Sequence, residues 1–309
     1  MFEEIPCYYC GAREHEPFIV AQDDLSGRPG DFQFVTCRRC GLRYQNPRLA
    51  IEHVKGYYDD DYIAHRKRAD RGALAWVYGR VMGKHDRDKD AIVSRYVKLT
   101  PRSEVLDVGC AVGTFLTHLR ARYGAAPVGV DFKDLSAHPL LAGVEFHCGT
   151  FPQADVGDGR FDLVTMWHFL EHDYAPLESL AKARRALRPD GRLVVEVPRL
   201  DSATFRIFGR RWPGLQAPQH TLLLDKEMLL RLVRKAGLEV VDYLPYGAFP
   251  PYFYLFCGVA FTLLRGRGMN ALQPKLVVPY VAGQVALSPL LLLERRLNLA
   301  MQTVVCRRA

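Results

Sequence analysis

Several absences narrow the class of this 309-residue chain. No apolar run follows Met1-Phe-Glu-Glu-Ile-Pro6, so no secretory leader is expected and the chain is expected to work in the cytoplasm. No evenly spaced disulfide framework is present. Of eight cysteines, four fall in two C-x-x-C pairs, while Cys110, Cys148, Cys257 and Cys306 stand singly. That is the usage of a reducing compartment with one metal site. No Arg/Lys stripe interleaved with aromatics accompanies the cysteine pairs, which argues against nucleic acid despite a net charge of +8. The positive excess is diffuse and suits an anionic membrane surface or an ordinary solvated surface.

What is present is organised around Glu104-Val-Leu-Asp-Val-Gly-Cys-Ala-Val-Gly-Thr-Phe-Leu116. An apolar strand breaks on Gly109 and Gly113 and restarts as a helix over 113–123. Such a turn offers bare amides and a positive helix end to a ligand. Strands and helices then alternate. Strands are expected at Pro127–Asp131, Val144–Cys148, Phe161–Trp167 and Arg192–Pro198, with a helix over 175–187. Leu238–Tyr243 and Met301–Arg307 complete the set. The pattern predicts a parallel α/β sheet with right-handed crossovers. Asp131 closes the second strand about twenty residues beyond the turn, where an acid can accept from a ribose diol. The turn does not read G-x-G-x-x-G, because the acid Asp107 precedes its glycines.

Cys7-Tyr-Tyr-Cys10-Gly11 and Cys37-Arg-Arg-Cys40-Gly41 are near-identical knuckles separated by two short strand patterns. Cys7, Cys10, Cys37 and Cys40 predict a closed, structural Zn2+ site. Paired but unligated thiols are the alternative. A tyrosine-rich segment, Tyr57-Tyr58-Asp-Asp-Asp-Tyr62, and a helical periodicity over 73–99 connect this unit to the rest. The tyrosines are read as packing residues that could also line a cofactor entrance.

Residues 103–245 resemble a class I S-adenosylmethionine-dependent methyltransferase. The resemblance lies in Leu106-Asp-Val-Gly-Cys-Ala-Val-Gly113, Val128-Gly-Val-Asp131, Phe161-Asp-Leu-Val164, Leu170-Glu-His172, Ala186-Leu-Arg-Pro-Asp-Gly-Arg-Leu193 and Val197-Pro198. The knuckles, Gly41-Leu-Arg-Tyr-Gln-Asn-Pro47, Phe208-Gly-Arg-Arg-Trp212 and Gln219-His220 are similar to a bacterial subgroup of it that carries an N-terminal zinc ribbon. The resemblance implies a Rossmann-like, seven-stranded α/β methyltransferase sheet with S-adenosylmethionine as cofactor. It places Asp107, Gly109 and Gly113 at the methionyl end and Asp131 at the ribose. Phe132 would flank the adenine, with Thr150 and Phe151 at its edge. Many relatives carry an acid where Thr150 stands, and Ala111 replaces the middle glycine of the family turn.

Methyl transfer from a sulfonium needs aligned reactants in a dry pocket. Aromatic faces tolerate the cation, and Trp167 and Phe169 are positioned for that. A hydroxyl acceptor needs a base, for which His168 and His220 are the candidates, with His172 read more as structural. Glu171 is expected to orient a neighbour or cap a helix.

Between the last two strands, Ala248–Leu264 and Leu276–Leu293 carry no charged residue, and Arg265, Arg267 and Lys275 lie in their connection. Residues 248–296 are therefore expected as a hydrophobic helical insertion resting on an anionic membrane surface, with Arg295 and Arg296 among the headgroups. A buried helical pair forming a lid or dimer interface is the alternative. The organisation expected is a ribbon over 1–48, a helical connection over 49–102 and a methyltransferase domain over 103–247. The insertion and a final strand over 297–309 follow. The leading expectation is an enzyme, peripheral at the inner membrane face, that methylates a small or lipid-linked acceptor, with a sugar of a cell-surface glycan precursor as first candidate. RNA methylation and a non-catalytic membrane scaffold are the alternatives.

Overall fold

A computed structural model describes residues 1–58, 73–264, 268, 282–284, 286–287, 294 and 298–309, with only the backbone described over 73–82. Its N-terminal part contains β1 (Phe2–Glu3), β2 (His15–Gln22), β3 (Asp31–Cys37), β4 (Arg43–Gln45), β5 (Arg48–Leu49) and α1 (Ile51–Val54). Then follow α2 (Ala73–Val93), β6 (Glu104–Val108), α3 (Thr114–Tyr123), β7 (Ala126–Asp131), β8 (Glu145–Cys148), β9 (Phe161–Trp167) and α4 (Pro176–Ala186). The chain closes with β10 (Leu187–Pro198), α5 (Ala203–Phe208), β11 (Leu222–Leu223), α6 (Lys226–Lys235), β12 (Leu238–Leu244), α7 (Pro251–Leu264) and β13 (Met301–Arg308).

Seven strands form one sheet in the order β12-β13-β10-β9-β6-β7-β8. The pairs β7–β8, β6–β7, β6–β9 and β9–β10 are parallel, while β13 runs antiparallel to both neighbours. This is the expected Rossmann-like methyltransferase sheet. Strand alternation sends side chains to two cores. Leu106, Val108, Val164, Met166, Val195 and Val197 enter one with Leu180 of α4 and Leu229 and Leu232 of α6. Val105, Leu163, Trp167 and Val194 enter the other with Ile92 of α2 and Phe115 and Leu119 of α3. Both faces are covered, as a largely parallel sheet requires.

The N-terminal unit is less separate than a boundary at residue 48 suggests. β11 pairs with β4 (Leu222↔Tyr44, Leu223↔Arg43) and extends the ribbon to four strands, in the order β11-β4-β3-β2. Val35, Leu42 and Tyr44 join the first core. Phe32 and Phe34 pack in a third cluster with Leu200, Trp212 and Leu215. The ribbon also leans on α6, where Arg231 Nη1 donates to the carbonyl of Cys40 at 2.9 Å.

The first apolar run becomes α7, whose Tyr252, Tyr254, Cys257 and Phe261 are buried. Among the described residues no helix is long and apolar enough to cross a membrane. The second run, with Arg265, Arg267, Lys275, Arg295, Arg296 and, further upstream, Tyr62, lies outside the described residues apart from isolated positions.

Candidate functional site

The glycine turn is bolted to its neighbouring strand. The amides of Gly109 and Cys110 both donate to the carbonyl of Val130, at 2.8 and 3.1 Å. Ala111 holds φ at +49°, a region strained for a residue with a Cβ. Its amide donates to Asp131 Oδ2 at 2.9 Å, while Asp131 Oδ1 accepts from the Lys133 amide at 3.0 Å. Asp131 thus fixes the turn while facing the cavity. Gly113 caps α3 at φ +76°, and a Cβ there would fall 2.5 Å from Leu141 Cδ2. Asp107 is buried and accepts from Thr165 Oγ1 at 2.6 Å. Burial lifts its pKa to about 6, against the pull of Lys89 and the Thr165 bond. Lys89 Nζ itself stands 5.3 Å from the Phe115 ring and 5.4 Å from the Trp167 ring.

At the far end, His168 follows β9 with φ +53°. Its Nε2 lies 3.1 Å from Glu196 Oε1 and its Nδ1 3.5 Å from Glu171 Oε1. Burial lowers its pKa, but hydrogen bonds to Glu171 and Glu196 and their charges outweigh that and carry it up to about 9. This environment favours the imidazolium form of His168 at neutral pH.

Glu196 is fully buried and also accepts from the amides of Ala248 and Phe249 at 2.6 and 3.1 Å. It thereby fastens the start of the insertion. The Phe249 ring lies 4.8 Å from His168 and 5.5 Å from His85. His85 is held neutral: burial and the Lys89 charge push its pKa down to about 3.

His220 is buried, with Nδ1 2.8 Å from the Gly214 carbonyl. That bond puts the hydrogen on Nδ1 and the lone pair on Nε2. Burial and the His172 charge hold its pKa well below the ordinary value. The His172 and His220 rings are 4.4 Å apart. His172 Nδ1 lies 2.8 Å from the Tyr58 hydroxyl and 3.1 Å from the Gln219 carbonyl. Tyr58 in turn meets the Phe132 ring edge-on at 5.0 Å.

Both ends open onto one cavity of about 940 Å³, lined by Asp107, Gly109, Asp131, Phe132, Thr150, Phe151, Trp167, His168 and His220 among others. Its size matches the upper end of the roughly 300–1,000 Å³ of small-molecule sites. Gly113 lies beside it in the turn. Thr150 Oγ1 donates to Gln153 Oε1 at 2.7 Å. Phe151 packs into the first core, which leaves little of its ring for a ligand. Phe249, Phe253 and Tyr254 from the insertion also line the cavity.

Away from this cavity, Cys7, Cys10, Cys37 and Cys40 bring four sulfurs within 4.8 Å of one another. The Cys7–Cys40 and Cys10–Cys37 separations are 3.4 and 3.5 Å. Each knuckle turns the same way: Gly11 N donates to Cys7 O and Gly41 N to Cys37 O, both at 2.9 Å.

The sequence reading missed Lys89 and His85, which reach the cavity from α2, and Glu196. A lone acid inside Leu193-Val-Val-Glu-Val-Pro198 was the available signal, because a buried charge needs a partner.

Residues 82–243 match the family model of a methyltransferase domain, and the chain belongs to that family. A probable S-adenosylmethionine-dependent methyltransferase of Mycolicibacterium smegmatis is 27% identical over 162 residues, or 50% of this chain and 60% of its own. A ubiquinone biosynthesis O-methyltransferase of Idiomarina loihiensis is 28% identical over 152 residues, or 44% of this chain and 61% of its own. A solved 1,6-didemethyltoxoflavin-N1-methyltransferase of Burkholderia thailandensis superposes with a TM-score of 0.49 at 16% identity, over 88% of this chain and 97% of its own. The chain spans 32% to 61% of the length of the first curated relatives it matches.

The clamp on His168 has a pH signature. A folded pKa raised from about 6.5 to about 9 adds stability that is fully present below 6.5 and lost as pH rises through about 9. Unfolding free energy is expected to fall more steeply across that window in the wild type than in His168→Gln. Equal slopes in denaturant melts would remove the imidazolium from the account.

Proposed function

We propose that the chain is an S-adenosylmethionine-dependent methyltransferase acting on a small acceptor. One observation carries this reading: the turn braced by Asp131 and the His/Glu cluster open onto the same cavity. The residues present fit the cofactor. The Gly109 position supports it because a Cβ there would come within 3.0 Å of Phe169, so the cradle stays bare only with glycine. Asp107 and Lys89 offer opposite charges for a zwitterionic methionyl group. Asp131 lines the cavity at the end of its strand, where a carboxylate suits a ribose hydroxyl.

S-adenosylmethionine, when bound, supplies an electrophilic methyl group on a sulfonium. The chain's residues do the rest. Trp167 gives a buried aromatic wall that tolerates positive charge. Phe249, Phe253 and Tyr254 roof the acceptor half and exclude water, which aligns the reactants and raises every electrostatic effect inside. Glu196 holds His168 and the roof in one geometry. Burial leaves both His85 and His220 weak bases, and the carboxylates around His168 favour its protonated form.

The name of the ubiquinone biosynthesis O-methyltransferase relative supports an oxygen-bearing acceptor. Incubation with methyl-labelled S-adenosylmethionine and fractionated small-molecule and lipid extracts is expected to label one species. Asp131→Ala is expected to weaken cofactor use at least about tenfold through lost charged hydrogen bonds. Labelling that persists undiminished in Asp131→Ala would contradict the assignment.

The finer reading is a lipid-linked acceptor, with a glycan-precursor sugar as first candidate, met at an anionic membrane face. The outward side of α7 supports it, with Val259 and Leu263 exposed, and Ile207 lies exposed on the adjoining α5. Arg206 and Arg210 stand exposed beside Ile207. Anionic liposomes are expected to float the full chain, and Val259→Glu/Leu263→Glu to abolish flotation. Equal flotation of both forms would sink the membrane reading.

The cysteine cluster is proposed as a structural Zn2+ site, because S···S separations near 3.4 Å suit four thiolates around one ion. Elemental analysis is expected to find one thiolate-bound zinc per chain. A zinc content unchanged in Cys10→Ser/Cys40→Ser would refute it.

A further inference from the structure

Glu171, His172 and His220 form a second group whose donor atoms lie within 4.8 Å of one another. All three line the acceptor half of the cavity. They come from two segments tied together by backbone, since Thr221 N donates to the Glu171 carbonyl at 2.7 Å and Thr221 Oγ1 to the Asp173 carbonyl at 2.9 Å. The cluster is therefore built into the fold.

Two independent features point to a cation. Glu171 is 2% exposed, and among the described residues its carboxylate meets one charged group, His168, on Oε1 alone, so that Oε2 is left without a donor. His168 Nδ1, at 3.5 Å from Oε1, gives only a loose ion pair. Burying a carboxylate without partners is costly, and such groups are normally paired or bound to metal. The second feature is the histidines. The Gly214 carbonyl sits on Nδ1 of His220, and Nδ1 of His172 is held between the Gln219 carbonyl at 3.1 Å and the Tyr58 hydroxyl at 2.8 Å. Second bonds of this kind orient metal-binding imidazoles, and the carbonyl on His220 also fixes its tautomer with the lone pair on Nε2.

We propose that Glu171, His172 and His220 bind a divalent transition-metal ion whose remaining positions take oxygen atoms of the methyl acceptor. Two imidazoles and one carboxylate are the ligand set of open sites, which keep a coordination position for substrate. The set is borderline in softness, unlike the four thiolates of the ribbon, so the two sites select different ions. The inference rests on the acceptor-cavity reading above and deepens it: the acceptor class becomes an oxygen chelator. It also gives His220 a ligand's role through Nε2.

Manganese(II) separates the two sites because it favours nitrogen and oxygen donors over thiolates. The purified full-length chain, titrated with Mn2+ and followed by electron paramagnetic resonance of the free ion, is expected to bind one ion per chain. Glu171→Gln and His220→Ala are each expected to weaken that binding by at least about tenfold. Calorimetry with S-adenosylmethionine, run on the same variants without Mn2+, is expected to be unchanged and shows that they remain folded. No binding at millimolar Mn2+, or equal binding by wild type and both variants, would overturn the metal site. Loss of S-adenosylmethionine binding in the wild type would instead strike the methyltransferase reading.

Discussion

A buried carboxylate at the end of β10 holds the acceptor side of this molecule together. Glu196 has no solvent contact, so its charge must be met from within. It accepts from the amides of Ala248 and Phe249, takes a 3.3 Å bond from Thr303 Oγ1 and faces His168 at 3.1 Å. One side chain thereby links β9, β10, β13 and the start of the apolar insertion. Phe249 follows directly and carries the aromatic roof with it. Removing that charge would leave an imidazolium, two amides and a hydroxyl without their shared partner.

Asp131 does the corresponding work on the cofactor side. Its carboxylate steadies Ala111 in a left-handed conformation and the chain beyond β7 at once. The two acids stand at the ends of parallel strands on either side of β6 and β9, where doubly wound sheets gather ligands. The sheet is thus a rigid support, and the loops beyond it are shaped by charge. The ribbon belongs to the same support, because β11 completes its sheet and α6 carries its second knuckle.

The sheet was legible in the sequence because its strands are short apolar runs separated by helical periods. Strand ends at Val108, Asp131 and Trp167 could be read from glycines and acids. The cysteine knuckles were legible from spacing alone. Less legible was everything that depends on distant pairing. The join of Leu222 and Leu223 to β4 involves two residues with no periodicity to announce them. Lys89 and His85 reach the cavity because α2 packs across α3, which no local pattern encodes. His168 was correctly placed beyond β9, yet its protonation depends on Glu171 and Glu196, and Glu196 lies twenty-eight residues downstream. The first apolar run was visible as a stretch without charge, but that Phe249, Phe253 and Tyr254 line the cavity required knowing that Glu196 catches its first amides.

The cavity is proposed to hold S-adenosylmethionine. Titration calorimetry of the purified full chain with S-adenosylmethionine tests it most directly. One cofactor per chain is expected to bind with an affinity in the micromolar range, about −8 kcal/mol, and S-adenosylhomocysteine is expected to compete for the same site. No heat and no competition at millimolar cofactor would contradict it.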